Sequence, residues 1–237
     1  MEFETKVQFL TQPEHNRRTI VISDIHGHRA WLEKLLKKVD FSEKDILIIV
    51  GDMIEKGPES LNTIRYIMEL CEKYTVYPMM GNVDLWRIQM LLTEDGSLDQ
   101  ELYETNERMR QYWKATFFQD FCREAGVSVK TPEEIPAARE AVVAKFQKEL
   151  TFMKELPTIL VTPAFTFVHG GLVHEKLEDN FHLPPFQLLK NDNFINQGKH
   201  FDKYVVVGHW PVCLYRSDIE SSAPYISEEQ KIIAIDG

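Results

Sequence analysis

Six short apolar segments, rich in β-branched residues, constrain the fold more than any other feature of the chain. They cover residues 19–23, 45–50, 75–80, 165–169, 204–208 and 231–235. Nearly every residue in them is apolar, and each segment ends at a polar or glycine-containing turn. Continuous apolar runs of this length predict strands that are buried on both faces. The chain is therefore predicted to contain a sheet that lies between two other layers.

The segments that separate the first three strands predict helices. Residues 30–39 place one helical face of apolar side chains, namely Trp31, Leu32, Leu35, Leu36 and Val39. Before the third strand, Pro58 has a position typical of the first turn of a helix, and an apolar pattern continues to Leu70. Strands that alternate with helices over the first eighty residues indicate an α/β fold.

The character of the chain changes from about residue 85 to 156. Strand patterns are absent there, and two amphipathic helical patterns cover residues 98–121 and 135–153. Gly126 and the proline-containing segment 132–136 separate the two patterns, as residues that end and begin helices do. We predict a helical cap that is inserted into a single α/β domain and overhangs the functional site. Its aromatic residues are expected to form a core of the cap itself.

The composition argues against several classes of protein. The net charge of −10 offers no attraction to a nucleic-acid backbone or an anionic membrane. No apolar run reaches the roughly 20 residues that a membrane helix needs, and the N-terminus lacks the pattern of a secretory signal. The cysteines, Cys71, Cys122 and Cys213, form no C-x-x-C pair, which favours a reducing compartment. We expect a cytoplasmic protein that binds neither nucleic acid nor membrane.

Residues that commonly bind metals follow five of the predicted strands. They are Asp24 and His26, Asp52, Asn82, His169 and His209. The carboxyl ends of strands in an open α/β sheet meet at one crevice, so we expect these side chains to converge. Carboxylate, imidazole and amide donors without a thiolate suit manganese, iron or zinc, and one carboxylate can bridge two ions about 3.5–4 Å apart. Each motif alone is more often a turn or a helix start, but together they predict a two-metal centre.

The ordered set of motifs resembles the calcineurin-like metallophosphoesterase superfamily. The matching segments are Asp24-x-His26-Gly27, Gly51-Asp52-x-x-Glu55-Lys56-Gly57-Pro58, Gly81-Asn82-x-Asp84, His169-Gly170-Gly171 and Gly208-His209. The likeness is greatest to the phosphoprotein-phosphatase branch, which also contains the symmetrical bis(nucleosyl)-tetraphosphatases. The resemblance implies a metallophosphoesterase-type αββα sandwich of two mixed sheets with an inserted helical cap. It also implies further strands after Gly237.

This resemblance gives each motif residue an expected role. Asp24 and His26 would bind the first of two metal ions, and Asp52 would bridge the two ions. The second ion would take the remaining ligands, Asn82, His169 and His209. A hydroxide held between the ions would attack phosphorus, and Lys56 and Asn82 would bind the phosphate. Manganese is the expected metal, with iron and zinc as alternatives.

The chain departs from the family pattern at three places. Val83 stands where the family has the histidine that protonates the leaving group, and valine has no proton to donate. Lys56 replaces the arginine of the family's Asp-Arg-Gly motif, which keeps the charge but loses the planar fork that binds phosphate bidentately. No arginine lies between His169 and His209, where phosphoprotein phosphatases usually supply one.

Two residues are candidates to replace the missing proton donor. His28 follows His26 by two positions, although it can equally be a polar residue that opens the next helix. Asp84 can contribute by holding a partner or a water. His174 and His182 lie in the loop after the strand at 165–169 and are expected to be solvated.

General-acid catalysis is typically worth about 10²–10⁴-fold, and its loss would penalise alkyl phosphates most. We therefore expect a hydrolase of phosphoesters or phosphoanhydrides that favours good leaving groups, such as nucleotide polyphosphates or aryl phosphates. The substrate would be a phosphorylated small molecule or a phosphoprotein. The alternatives are a serine/threonine protein phosphatase and a non-catalytic homologue that binds metal or phosphate for regulation. The acidic composition does not favour a nuclease.

Overall fold

A computed structural model describes residues 3–11, 17–93, 95–113, 116–216 and 220–237. The strands in these residues are β1 (Val7–Phe9), β2 (Thr19–Ile22), β3 (Ile46–Ile49), β4 (Thr75–Pro78), β5 (Ile159–Val161), β6 (Phe165–Val168), β7 (Tyr204–Val207), β8 (Tyr225–Ser227) and β9 (Ile232–Ala234). The α-helices are α1 (Arg29–Lys38), α2 (Ser60–Lys73), α3 (Asn82–Leu92), α4 (Asp99–Tyr112), α5 (Phe117–Ala125), α6 (Ile135–Lys145), α7 (Gln147–Lys154) and α8 (Pro185–Leu189). Short 3₁₀ segments lie at Pro132–Glu134, Leu177–Asn180, Phe194–Gln197 and Val212–Tyr215. None of the described helices has the length and apolar character needed to cross a bilayer.

The strands form two sheets. The smaller sheet contains β2, β3 and β4, all parallel, with Ile46 of β3 opposite Thr19 of β2 and Thr75 of β4. The larger sheet has the order β1-β5-β6-β7-β9-β8, and its pairs β5/β6 and β8/β9 are antiparallel while the others are parallel. The expectation of two mixed sheets is met by the larger sheet, whereas the described part of the smaller sheet is parallel throughout.

The predicted strands and helices are confirmed, with some omissions. All six apolar segments form strands, but the sequence did not reveal β1, β5 and β8. Each of these has only three residues, which is too few for a strand pattern to be recognised. The apolar face of α1 is narrower than predicted, since Leu32 and Leu36 are buried whereas Trp31 and Leu35 are exposed.

Strand β3 shows how the sheets form a layered sandwich. Its side chains alternate in direction, so that Ile46 and Ile48 enter the core between the two sheets. Leu47 and Ile49 enter a second core, on the face that α1 and α2 cover. A third core lies on the outer face of the larger sheet, beneath the short helical segments near α8. The order of layers is helix, sheet, sheet, helix, which is the predicted αββα arrangement.

The described part of the inserted helical region contains five α-helices, α3 to α7, and begins at Asn82 rather than near residue 85. Each of the two long amphipathic patterns forms two helices, α4 and α5 in the first and α6 and α7 in the second. The first contains the end of α4 at Tyr112 and the start of α5 at Phe117, where the Thr116 hydroxyl accepts a hydrogen bond from the Gln119 N–H and thereby caps α5. The second is interrupted at Phe146, between α6 and α7.

The aromatic residues of the insertion do not form a separate core, so that expectation is wrong. Phe121 and Phe146 belong to the same buried cluster as Leu47 of β3 and Ile64 of α2. The Phe121 ring meets the Phe146 ring edge-on, with 5.0 Å between their centroids. The insertion shares the core on the outer face of the smaller sheet. The expectation failed because a pattern of apolar residues predicts a buried face but not the element that covers it.

A shared core predicts that the insertion and the sandwich unfold together. Phe121→Ala should lower the free energy of unfolding by about 3–5 kcal/mol and leave one cooperative urea transition. The matched control is Tyr112→Ala, because Tyr112 is 71% exposed and its loss should change stability little. Separate transitions for helical and tertiary signals in Phe121→Ala would contradict the shared core.

Candidate metal centre

Four of the six predicted metal ligands have a left-handed backbone. The φ angles are +55° at Asp24, +47° at His26, +51° at Asp52 and +64° at His209. This conformation is uncommon for residues other than glycine and costs of order 1–3 kcal/mol per residue. Hydrogen bonds between loops hold it, since the Asp24 N–H donates to the Gly51 carbonyl at 3.1 Å and the His26 N–H to the Asp52 carbonyl at 2.9 Å. Strain that is concentrated on the predicted ligands indicates a functional site.

Glycine allows the loops to approach closely at Gly81, which follows β4. A Cβ atom there would overlap the backbone nitrogen and the carboxylate oxygen Oδ1 of Asp52. Gly208 has the same role beside Asp24, because its Cβ would lie 2.5 Å from the Asp24 oxygen Oδ2. The glycines of two predicted motifs are therefore required by the packing of ligand side chains against backbone.

Asp24, His26 and Asp52 form the first group of candidate ligands. One ligand atom from each residue lies within 4.8 Å of the others. The His26 nitrogen Nε2 is 3.8 Å from Asp24 Oδ1 and 3.7 Å from Asp52 Oδ2. The other ring nitrogen, Nδ1, donates to the Ile54 carbonyl at 3.1 Å, so Nε2 carries the lone pair and faces the carboxylates. Two carboxylates and an imidazole lone pair that converge in this way fit a divalent cation.

A second group surrounds the other oxygen of Asp52. The His169 nitrogen Nε2 is 3.4 Å from Asp52 Oδ1 and 2.9 Å from the Asn82 amide oxygen. Its Nδ1 donates to the Val50 carbonyl at 2.8 Å, which again leaves Nε2 as the nitrogen that faces the site. The His209 ring lies 5.3 Å from the His169 ring, measured between centroids. Asp52 thus turns one oxygen to His26 and the other to His169.

Burial and mutual repulsion make this cluster electrostatically unusual. Burial, together with the charge of Asp52, raises the pKa of Asp24 to about 6 although His169 opposes the shift. Burial also opposes the charge of Asp52, but His169 and His26 outweigh it and hold the pKa of Asp52 below its usual range. The pKa of His169 is raised to about 10 because Asp52 and Asp24 outweigh the effect of burial. Several carboxylate charges in a buried site demand positive charge, which a metal supplies.

Lys56 brings a further cation to the site. Its ammonium nitrogen lies 2.7 Å from His26 Nε2, in the loop between β3 and α2. Glu55 and Lys56 both have left-handed backbones, with φ of +69° and +65°. Glu55 is held by a buried ion pair with Arg87 of α3, at 2.7 Å between Glu55 Oε2 and Arg87 Nε. Arg87, which the motifs did not reveal, therefore connects the helical insertion to the loop that carries Lys56.

Asp84, which we considered as a catalytic group, is fully buried. Its carboxylate accepts hydrogen bonds from the backbone N–H groups of Gly81 (2.9 Å), Met53 (3.0 Å) and Ile54 (3.3 Å). The bond to Gly81 is part of the capping arrangement at the start of α3. These contacts join the loop after β4 to the loop after β3. They give Asp84 a role in positioning the two loops, and its catalytic role stays a prediction.

His28, the other candidate for proton donor, also makes contacts away from the ligands. Its ring stacks on the Trp31 ring with 4.5 Å between centroids, and its Nδ1 is 3.2 Å from the Ile25 carbonyl. It precedes α1 without capping it through its side chain. Val83 contributes its backbone N–H, which donates to Asp52 Oδ1 at 3.0 Å. His174 and His182 are exposed, as predicted.

Asp192 contacts a predicted ligand, although no sequence motif indicated it. Its Oδ1 lies 2.6 Å from His209 Nε2, and Lys190 forms an ion pair with the same carboxylate. Asp192 lies in the loop between α8 and the 3₁₀ segment at Phe194, 17 positions before His209. No motif distinguishes it within the polar run 190–193.

Comparison with known proteins assigns the fold to a family. The family model of the calcineurin-like phosphoesterases matches residues 17–229. The chain belongs to this family. The resemblance inferred from the motifs is confirmed, and membership of the calcineurin-like phosphoesterases implies divalent metal at the group formed by Asp24, His26 and Asp52.

Individual relatives within the calcineurin-like phosphoesterases share parts of the sequence or the fold. The symmetrical bis(5'-nucleosyl)-tetraphosphatase of Buchnera aphidicola subsp. Schizaphis graminum is 45% identical over 65 residues, which are 27% of this chain and 23% of that protein. The curated relatives are thus matched over less than a third of their length. A crystal structure of a putative diadenosine tetraphosphatase shares the fold with a TM-score of 0.58 at 21% identity, covering 98% of this chain and 87% of that one. The cold-active protein-tyrosine phosphatase of a Shewanella species gives a TM-score of 0.54 at 14% identity, over 99% and 74% of the two chains.

The contacts of Asp84 predict a loss of stability on mutation. Asp84→Asn should lower the free energy of unfolding by about 1–3 kcal/mol, because an amide cannot accept all the backbone hydrogen bonds that two carboxylate oxygens accept. Urea unfolding in the absence of metal measures this, with the exposed Asp202→Asn as the control. Unchanged stability combined with a selective loss of activity would instead favour the proton-donor role.

Proposed function

We propose that this protein is a two-metal hydrolase of phosphoesters or phosphoanhydrides. The observation that carries the proposal is the orientation of Asp52, whose two oxygens face two different groups of candidate ligands. Family membership supports the same reaction class. The curated relatives are matched over only part of their length, so the activity, the substrate and the metals are all proposed for this chain and are tested below.

The candidate ligands form two groups, one for each proposed metal ion. Asp24 and His26 would hold the first cation, and Asp52 would contribute to both sites. Asn82, His169 and His209 would hold the second cation. Bound metals lower the pKa of a water and neutralise charge on the phosphoryl oxygens, and Lys56 adds a fixed cation beside them. Oxygen and nitrogen donors without thiolate favour manganese, with iron or zinc as alternatives.

The surroundings of the site support a preference for good leaving groups. Val83 has no proton to donate, Asp84 is buried behind backbone N–H groups, and His28 stacks on Trp31. The leaving group of a phosphoanhydride or an aryl phosphate departs without a proton. Hydrolysis of an alkyl phosphate instead loses the rate acceleration of about 10²–10⁴-fold that a general acid supplies. A nucleoside polyphosphate is therefore the proposed substrate, in agreement with the names of the tetraphosphatase relatives.

Two other functions stay as alternatives. An aryl phosphate on a protein fits the same leaving-group argument, and one structural relative is a protein-tyrosine phosphatase. A non-catalytic role in binding metal or phosphate is motivated by Val83 and Lys56, but all six predicted ligand residues are present.

For the compartment we propose the cytoplasm, because the three cysteines are free thiols in the structure.

Hydrolysis of p-nitrophenyl phosphate with added Mn(II) tests the catalytic proposal, because this substrate needs no proton donor. Asp52→Asn should reduce the rate by more than the roughly 10–100-fold that mutations of outer-shell residues cost, since the amide has one oxygen in place of two and carries no negative charge. Asp202→Asn serves as the control on an exposed acid. Complete inactivity of the wild-type protein under these conditions would favour the non-catalytic alternative.

A panel of substrates tests the leaving-group preference. The wild-type enzyme should hydrolyse a symmetrical bis-nucleoside tetraphosphate and a phosphotyrosine peptide faster than a phosphoserine peptide. Val83→His should raise the rate on phosphoserine on the order of 10²-fold and leave p-nitrophenyl phosphate nearly unchanged, because only the alkyl leaving group requires a proton. Val83→Ala is the apolar control. Fastest turnover of phosphoserine by the wild-type enzyme would overturn the preference.

A further inference from the structure

The three histidines of the candidate centre differ in what fixes their rings. His26 and His169 each donate Nδ1–H to a backbone carbonyl, that of Ile54 and that of Val50. Because a carbonyl oxygen only accepts, Nδ1 carries a proton in both residues, and Nε2 is the nitrogen that faces the candidate centre. A backbone carbonyl accepts from Nδ1 in both cases, so no side-chain substitution at Ile54 or Val50 can remove the acceptor.

His209 has the opposite arrangement. Its Nε2 lies 2.6 Å from the carboxylate oxygen Oδ1 of Asp192, which can only accept when ionised, so the proton lies on Nε2. Nδ1 is then the nitrogen with the lone pair. Its backbone N–H donates to Asp24 Oδ2 at 3.1 Å and its ring packs edge-on to the His169 ring, which places the residue at the centre. In His209 a side-chain carboxylate therefore has the place that a backbone carbonyl has in His26 and His169.

The loop that carries Asp192 is fixed against the centre. The N–H groups of Gly170 and Gly171, directly after His169, both donate to the Leu188 carbonyl at 3.0 Å. A Cβ at Gly170 would lie within 2.7 Å of backbone atoms of Leu189 and Asn191, so the loop rests directly on this glycine. The same loop therefore contacts both the residue after His169 and the ring of His209.

Lys190 holds the Asp192 carboxylate from the other side. Its ammonium nitrogen lies 2.7 Å from Oδ1 and 2.9 Å from Oδ2 of Asp192. These two contacts restrict the rotation of the carboxylate, which leaves Oδ1 aimed at His209. Lys190 lies in the interval without arginine, and it is paired with Asp192 rather than free to hold a phosphate.

We propose that Asp192 is a positioning residue of the second metal site. It fixes His209 in the tautomer that presents Nδ1, orients the ring and raises its basicity as a ligand, as carboxylates behind metal-binding histidines do. Lys190 supports Asp192 in this role. The proposal rests on the proposed two-metal function, and it concerns one of the two sites only.

Titration of the metal-free protein with Mn(II), followed by calorimetry and by the EPR signal of the free ion, tests the proposal. The wild-type protein should bind two ions. Asp192→Ala should weaken the binding of one ion by about 10–100-fold and leave the other unchanged, which is the effect expected for removal of an outer-shell carboxylate. Asp192→Asn should have a smaller effect because its amide oxygen still accepts from Nε2–H, and Lys190→Met should weaken the same ion only slightly.

The control is Asp202→Ala, because Asp202 is exposed and contributes its backbone carbonyl, not its carboxylate, to a hydrogen bond with Lys231. Thermal unfolding in EDTA should be the same for all variants, since Asp192 lies on the surface of the loop. Two Mn(II) ions bound to Asp192→Ala with wild-type affinities would overturn the proposal, as would equal weakening of both ions. Failure of the wild-type protein to bind two ions would instead overturn the proposed metal centre, and this inference with it.

Discussion

A carboxylate buried in protein must be compensated by nearby hydrogen-bond donors or cations, and Asp52 receives this compensation from both halves of the sandwich. His26 follows β2 of the smaller sheet, whereas His169 follows β6 of the larger one. Each imidazole faces a different oxygen of Asp52, and the Val83 N–H at the start of α3 donates to the same carboxylate. The site can therefore exist only where the two sheets and the first turn of the insertion meet. The proposed metal ions would meet the same requirement.

The helical insertion supports the site as well as the core. It begins at Asn82, a candidate ligand, and its second turn carries Arg87, which holds Glu55 and so the strained loop of Lys56. Further along, the Asp120 carboxylate accepts a hydrogen bond from the Leu61 N–H in the first turn of α2, the helix that follows this loop. Left-handed residues are costly, and these contacts from the insertion offset part of that cost.

The strand ends and the ligand residues could be predicted because local sequence contains both signals. An apolar run that ends in a polar residue beside glycine, as at Gly51 and Asp52, marks a buried strand and the turn after it. The packing of the insertion could not be predicted from local sequence. Apolar spacing predicted a buried face through Phe121 and Phe146, but it does not record which element covers that face, so the core shared with Leu47 was missed.

The sequence by itself determined six of the described strands, the family, and the kinds of donor available to a metal. Only the tertiary structure decided how each donor is used. Asp84 has the appearance of an active-site acid in the sequence, yet it is enclosed by backbone N–H groups from a loop about thirty residues away. The nitrogen that each histidine presents depends on an acceptor distant along the chain, 119 positions away for His169 and 17 for His209. Hydrogen bonds are short-ranged and directional, so their partners are defined by the packing of the two sheets and not by spacing along the chain.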